Sequence, residues 1–88
     1  ARVVNKLGLH LRAAAELVKA AHKFKSKITV RHLERSADAK SLINLIALGV
    51  PYGAELTMTF DGEDAWSASR EILGLFKLGF RELEMAAS

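Results

Sequence analysis

The fold of this chain is decided by one stretch of alternating side chains at residues 27–33, Lys27-Ile28-Thr29-Val30-Arg31-His32-Leu33. Ile28, Val30 and His32 fall on one side of an extended backbone, because successive side chains of a strand point to opposite faces. This period of two predicts a strand with one buried face. The buried face of such a sheet needs a cover, so the flanking segments are expected to supply helices.

The segment before this strand has the period of a helix. Between Leu11 and about Lys23, apolar residues recur at spacings of three and four, namely Ala14, Leu17, Val18, Ala21 and then Phe24. This spacing predicts an amphipathic helix. Residues 2–5 come earlier and carry Val3 and Val4, which predict a short first strand.

The segment after the strand predicts a turn and a return strand over residues 34–38, and then two more helices. Asp38 or Ser41 can cap a helix that runs to Leu48, since Gly49 and Pro51 follow as stop signals. The alternating apolar residues Leu56, Met58 and Phe60 predict the next strand. The last helix is predicted to begin near Asp64 as its cap. Its inward-facing positions are Ala65, Ala68, Ser69, Ile72, Phe76 and Gly79 or Phe80.

This order of elements predicts an α+β fold. A mostly antiparallel four-stranded sheet covered on one face by three helices is the natural solution, because one sheet face needs covering and three amphipathic helices are available. The 88 residues suffice for a single domain, 1–88, with one modest core.

Composition excludes several function classes. The chain is 50% hydrophobic and 26% charged, which is a globular balance, and it has no cysteine, which excludes disulfides and thiolate metal sites. No apolar run reaches the roughly 18–20 residues of a membrane span and no signal-peptide pattern opens the chain, so we expect a soluble, cytoplasmic protein without membrane insertion. The net charge is +3. The densest basic stretch, at the end of the first helix, suits a solvated helix end, an acidic partner surface or nucleic acid: Lys19, His22, Lys23, Lys25 and Lys27.

One histidine lies where an anion could be held. His10 follows a glycine turn at Gly8, precedes Arg12 by two residues, and stands at the entrance to the first helix. Helix N-termini offer unpaired N–H groups and positive dipole ends, and a neutral imidazole has the lone pair that a nucleophile needs. The pattern therefore allows His10 to accept a phosphoryl group beside the Arg12 guanidinium, although most histidines at helix starts are surface residues or loose caps.

The second helix is more apolar than one core contact requires. If Leu45 and Leu48 face the core, then Leu42, Ile43 and Ile46 form a partly exposed cluster on the neighbouring arc. Contiguous exposed apolar surface commonly marks a partner site. A helix sandwiched between two layers is the alternative.

Two separated motifs carry a family resemblance: Gly8-Leu9-His10-Leu11-Arg12 and Ser36-Ala37-Asp38-Ala39-Lys40-Ser41-Leu42. With the order of elements, they make nearly the whole chain similar to the histidine phosphocarrier (HPr) family of the bacterial sugar phosphotransferase system. The resemblance implies an open-faced β-sandwich and a carrier that forms a phosphohistidine intermediate, rather than a free-standing enzyme. It implies no cofactor and no metal.

The resemblance also implies residue roles and partners. His10 matches the histidine that accepts a phosphoryl group on Nδ1 from enzyme I and passes it to IIA domains of sugar permeases, and Arg12 matches the arginine that steadies it. Ser41 matches a serine that a dedicated kinase phosphorylates in some lineages. Leu42, Ile43 and Ile46 match the apolar patch on which these partners dock.

Two departures and three alternatives accompany the resemblance. Ala13 stands where the family usually has proline, and Leu11 where it commonly has a small residue. The segments 5–8 and 78–80 also resemble the nitrogen-regulatory branch of the family. A non-transferring regulatory relative is disfavoured by the retained His10. A nucleic-acid-binding module is disfavoured because the one strand aromatic, Phe60, is predicted to face inward, so we expect no nucleic acid partner.

The remaining candidate groups predict only structural roles. His22 and His32 have no helical i, i+4 partner, so a zinc site is not expected. Trp66 is predicted to be a partly buried packing residue. Glu63 and Asp64 are predicted to complement the dipole of the last helix.

Overall fold

The computed structural model describes residues 2–4 and 8–81 of the chain. In chain order its elements are α1 (Leu11–Ala21), β1 (Lys27–His32), β2 (Arg35–Asp38), α2 (Leu42–Leu48), β3 (Thr57–Asp61), α3 (Ala65–Lys77) and a 3-10 turn at Gly79–Arg81.

The three strands of the described residues form one antiparallel sheet in the order β2-β1-β3. Val30 of the central strand lies opposite Ala37 of β2 and Met58 of β3. Ile28 and Val30 are fully buried, whereas Lys27 and Arg31 are exposed. The prediction of a strand with one buried face is therefore confirmed.

The expected fourth strand is not present in the described part of the sheet. Arg2 makes a single antiparallel bridge with Glu55, and Val3 donates to the Ala54 carbonyl at 2.9 Å while its own carbonyl accepts from Gly53 N–H at 2.8 Å. This pairing involves residues 53–55, which precede β3, and no ladder with β3 itself is present among the described residues. The rest of the predicted strand, residue 5, lies outside the described residues.

The helices cover the buried face of the sheet with α1 in the middle. The first helix packs against both α2 and α3, while α2 contacts β2 and α3 contacts β3. The largest fully buried side chains come from all of these layers: Leu17, Ile28, Val30, Leu45, Ile72, Phe76 and Phe80. The α+β class and the three-helix cover are as predicted.

Helix boundaries follow the local signals with one exception. Ser41 rather than Asp38 caps α2, and Gly49 ends it in the left-handed region with φ 64°. Asp64 occupies the N-cap position of α3 but makes no side-chain cap bond. Its carboxylate instead accepts from the backbone N–H groups of Lys25 and Ser26 at 2.8 and 2.9 Å, and from the Ser26 hydroxyl. The capping role expected of this side chain was therefore wrong, because the loop before β1 offers it more donors.

Candidate functional site

His10 is the N-cap residue of α1, with φ −78° and ψ −179°. Its carbonyl accepts from Ala14 N–H at 2.8 Å, which is the first helical hydrogen bond. Its ring nitrogen Nδ1 accepts from the backbone N–H of Arg12 at 3.2 Å. A ring nitrogen that accepts has a lone pair and no proton, so this geometry selects the tautomer with its proton on Nε2.

The surroundings of the His10 ring favour negative charge. The first turn of α1 contains no acidic side chain, and the N–H groups of that turn stand at the positive end of the helix. Arg12 is exposed on the same turn and adds a permanent cation. The ring itself is half-buried, which leaves part of it accessible to a macromolecular partner.

The segment that carries His10 is held against the turn that follows α2. Leu9 is buried, and its N–H donates to the Val50 carbonyl at 2.9 Å. Gly8 has φ 70°, and a Cβ at this position would lie 2.3 Å from the Val50 oxygen and 2.9 Å from Pro51 Cα. Only glycine fits such a close approach with a positive φ.

Ser41 is a capping residue in this structure. Its backbone is extended, with φ −118° and ψ 109°, and its Oγ accepts from Asn44 N–H at 3.2 Å. The preceding turn is ordered by Asp38, whose Oδ1 accepts from Lys40 N–H at 2.9 Å. The hydroxyl is half-buried at the start of α2.

The apolar residues of α2 separate into two faces. Leu45 and Leu48 are buried in the core, whereas Ile43 is 80% exposed and Ile46 44% exposed. Leu42 is half-buried and packs against the edge of the core. We call Leu42, Ile43 and Ile46 the α2 surface.

These candidate residues lie along one pair of helices rather than in one cluster. The Leu9–Val50 bond places the His10 end of α1 beside the C-terminus of α2. At the other end, His22 Nε2 donates to the Lys40 carbonyl at 3.1 Å, so the last turn of α1 lies beside Ser41. His10 and Ser41 are therefore at opposite ends of α2, which at 1.5 Å per residue is about 10 Å long.

The structure corrects one residue and adds another that the sequence did not indicate. Trp66 is 70% exposed, so the prediction of a partly buried packing residue was wrong; its position in the first turn of α3 points its ring away from the core centred on Ile72 and Phe76. Val50 supports the His10 segment through its carbonyl. The only sequence signal near Val50 was the pair of stop residues Gly49 and Pro51. That signal predicted the end of a helix but did not indicate that the segment before His10 would pack against it.

No helix within residues 2–4 and 8–81 is long and apolar enough to cross a membrane.

Comparison with known proteins gives consistent matches over most of the chain. The family described as "PTS HPr component phosphorylation site" matches residues 1–77. The chain is 39% identical over 80 residues to the phosphocarrier protein HPr of Xylella fastidiosa, which covers 91% of this chain and 90% of that protein. It is also 46% identical over 67 residues to the multiphosphoryl transfer protein of Haemophilus influenzae, covering 73% of this chain and 13% of that protein.

Among solved structures, HPr-C-His from Thermoanaerobacter tengcongensis is similar to this fold with a TM-score of 0.89 and 34% sequence identity. The match covers 93% of this chain and 92% of that one.

Proposed function

Since this chain belongs to the HPr family of phosphocarriers of the phosphotransferase system, we propose that His10 carries the phosphoryl group on Nδ1. It accepts this group from the phosphohistidine of enzyme I and donates it to a histidine of a IIA domain, working in the cytoplasm as a carrier rather than as a free-standing enzyme.

The hydrogen bond from Arg12 N–H to Nδ1 is the observation that supports this role most directly. It keeps the Nδ1 lone pair unprotonated and directed at the helix end. In the transfer, that lone pair attacks phosphorus while the P–N bond of the donor breaks and returns its electron pair to the donor imidazole. No proton has to leave Nδ1, because the tautomer is already protonated on Nε2.

The same helix end then holds the product. The N–H groups of the first turn, one of which donates to Nδ1 in the free protein, become donors to the phosphoryl oxygens, and Arg12 adds charge. Hydrogen bonds to charged groups contribute about 1.5–3 kcal/mol each. A small number of them steadies the phosphoryl group without trapping it, as a carrier that must release its cargo requires.

We assign docking of enzyme I and of IIA domains to the α2 surface, Leu42, Ile43 and Ile46. Its two exposed isoleucines stand beside the helix whose N-terminus carries His10. A carrier meets its donor and its acceptor one after the other, so one surface can serve both. The multiphosphoryl transfer protein, of which this chain matches 13%, is a relative in which a similar sequence is part of a longer polypeptide.

We further propose that Ser41 is a regulatory phosphorylation site for a serine kinase and its phosphorylase. A phosphate there is tolerated by the helix N-terminus but places about two negative charges beside the α2 surface. Partner docking is then weakened while the fold is kept.

The decisive experiment incubates the protein with phosphoenolpyruvate, magnesium and enzyme I. We expect an acid-labile, base-stable phosphate that disappears in His10→Ala and persists in the matched controls His22→Ala and His32→Ala. A label that persists in His10→Ala contradicts the proposal. Running the assay in parallel with enzyme I of the sugar branch and of the nitrogen-regulatory branch decides between the two pathways; we expect faster transfer from the sugar-branch enzyme.

A further inference from the structure

One side of α3 carries a regular row of large side chains that the phosphoryl site does not use. Trp66, Arg70, Leu73 and Lys77 follow one another at spacings of four, three and four residues. At about 100° per residue they fall within an arc of about 60°, and at 1.5 Å per residue they span about 16 Å. We call these four residues the α3 stripe.

The α3 stripe faces away from the rest of the helical layer. The side of α3 that meets α1 carries Glu71, whose carboxylate pairs with Lys23 at 3.0 Å, and Leu75. The opposite side adjoins the start of the described chain, where Arg2 and Val4 line a shallow depression of about 330 Å³ together with Leu73, Phe76 and Lys77. The stripe is therefore at the edge of the molecule farthest from α2.

The four side chains are exposed and the charges among them have one sign. Trp66 is 70% and Leu73 43% exposed. The Arg70 guanidinium lies 4.8 Å from the centre of the Trp66 ring, which holds the cation over the aromatic face. Among residues 2–4 and 8–81, no carboxylate forms an ion pair with Arg70 or Lys77.

We propose that the α3 stripe docks an acidic amphipathic helix of a partner protein. The spacing of four, three and four is that of a helix seam, so a second helix can pack apolar side chains against Trp66 and Leu73. Arg70 lies between these two residues along the helix and Lys77 lies one turn beyond Leu73, and both cations require carboxylates opposite them. Two copies of this chain do not satisfy that requirement through their stripes, because the α3 stripe contains no carboxylate.

The place of the stripe in the fold has a functional consequence. A partner bound at the stripe leaves His10 and the α2 surface open, because α1 lies between α3 and α2. Docking at the stripe and phosphoryl transfer can therefore take place on the same molecule at the same time.

The test uses the full chain and a designed 21-residue helical peptide with leucine at heptad positions a and d and glutamate at e and g. Trp66 is the only tryptophan of the chain, so its emission reports docking directly. We expect the acidic peptide to shift Trp66 emission to the blue and the matched peptide with lysine at e and g to leave it unchanged. We expect Arg70→Glu/Lys77→Glu to weaken peptide binding, measured by calorimetry, at least tenfold.

A charge-matched variant controls for the loss of net positive charge. Lys19→Glu/Lys27→Glu changes the net charge equally on other exposed surfaces and is expected to bind the acidic peptide within twofold of the wild type. Equal weakening in both double variants overturns the proposal, as does loss of binding in Ile43→Ala, which would place the peptide on the α2 surface. A Trp66 shift produced only by vesicles of phosphatidylcholine and phosphatidylserine at 7:3, or only by single-stranded RNA, also overturns it.

Discussion

At the residue scale, His10 combines an observed capping role with a proposed role in phosphoryl transfer. It caps α1 through Nδ1, and the same nitrogen is the proposed phosphoryl acceptor. Asparagine, aspartate and serine are better N-caps than a bulky imidazole, so a histidine at this position lowers the stability of the helix relative to those residues. The cost is small because the helix is held mainly by its buried face, which includes Ala14 and Leu17.

Substitution of His10 measures this exchange. Substituting a good cap by alanine costs about 0.5–2 kcal/mol, and we expect His10→Ala to fall at the low end of that range. We expect His10→Asp to stabilise the protein by about 1 kcal/mol, or roughly 4–8 °C in melting temperature, while abolishing transfer. Thermal unfolding followed by circular dichroism measures both changes.

His10→Asn is the matched control for charge. Asparagine caps as well as aspartate but is neutral, so the difference between the two variants isolates the attraction of the helix end for an anion, about 0.3–1 kcal/mol. If His10→Asp melts no higher than His10→Asn, the helix end does not favour negative charge and the proposed hold on the phosphoryl group loses its basis.

At the element scale, α2 shows how seven residues serve as both core and surface. Leu45 and Leu48 are buried in the core, whereas Ile43 and Ile46 are exposed. Ser41 caps the start of the helix and Gly49 caps its end. Such a short helix is marginal by itself, so its stability depends on the cap and on the two buried leucines.

Variants of Ser41 separate its capping role from its proposed regulatory role. Ser41→Asp keeps a good cap but places a carboxylate beside the α2 surface, so we expect affinity for enzyme I to fall about tenfold, equivalent to about 1.4 kcal/mol, without unfolding. In the Ser41→Asn variant, asparagine has the shape of aspartate and caps equally well, but it carries no charge. We expect it to bind enzyme I as the wild type does. Equal affinity of all three proteins, measured by calorimetry, would count against regulation at this position.

The elements themselves were largely predictable, because each has a clear period and clear ends. Strand β1 and helix α2 begin and end where alternation, Ser41 and Gly49 indicate. The β1–β2 turn was predicted within residues 34–38, but the structure begins it one residue earlier, at Leu33, whose φ of 59° is a conformation that glycine or asparagine usually signals. Local patterns do not report such strain, since the pairing of the two strands imposes it.

The candidate site was predictable only in part. The positions of His10 and Ser41 at helix starts follow from local signals. The exposure of Trp66 does not, because it depends on which arc of α3 the sheet and α1 cover.

At the scale of the whole molecule, one carboxylate joins two distant parts of the chain. Asp64 at the start of α3 accepts hydrogen bonds from Lys25 and Ser26 in the loop before β1. The Ser26 hydroxyl bond, followed by the backbone N–H of Lys25, lowers the pKa of Asp64 below its ordinary value of 3.8. The contact therefore depends on the ionised carboxylate.

This dependence predicts a specific loss of stability in acid. Because the pKa is lower in the folded protein, the stabilisation is fully present above about pH 4 and is lost as the pH falls through the folded-state value. We expect Asp64→Asn to be less stable than the wild type at pH 7, with the difference shrinking below pH 4. Urea unfolding at a series of pH values measures it.

The neighbouring substitution Glu63→Gln provides the control. Glu63 is exposed, and its substitution removes the same charge from the same end of α3. We expect its stability at pH 7 to stay close to that of the wild type. If Asp64→Asn differs from the wild type by the same amount at pH 7 and at pH 2.5, the carboxylate contributes nothing through its charge.

The close contact of Gly8 with the Val50 carbonyl fixes the His10 segment to the turn that follows α2, so the proposed docking surface and the proposed phosphoryl acceptor share one support. A partner that binds the α2 surface also contacts the helix whose following turn supports the imidazole. The orientation of the partner relative to the ring is therefore set before phosphoryl transfer begins. We expect alanine at position 8 to separate the His10 segment from this turn, because its Cβ would clash with the Val50 carbonyl. We expect partners still to dock on the α2 surface of that variant, while the imidazole is no longer oriented toward them.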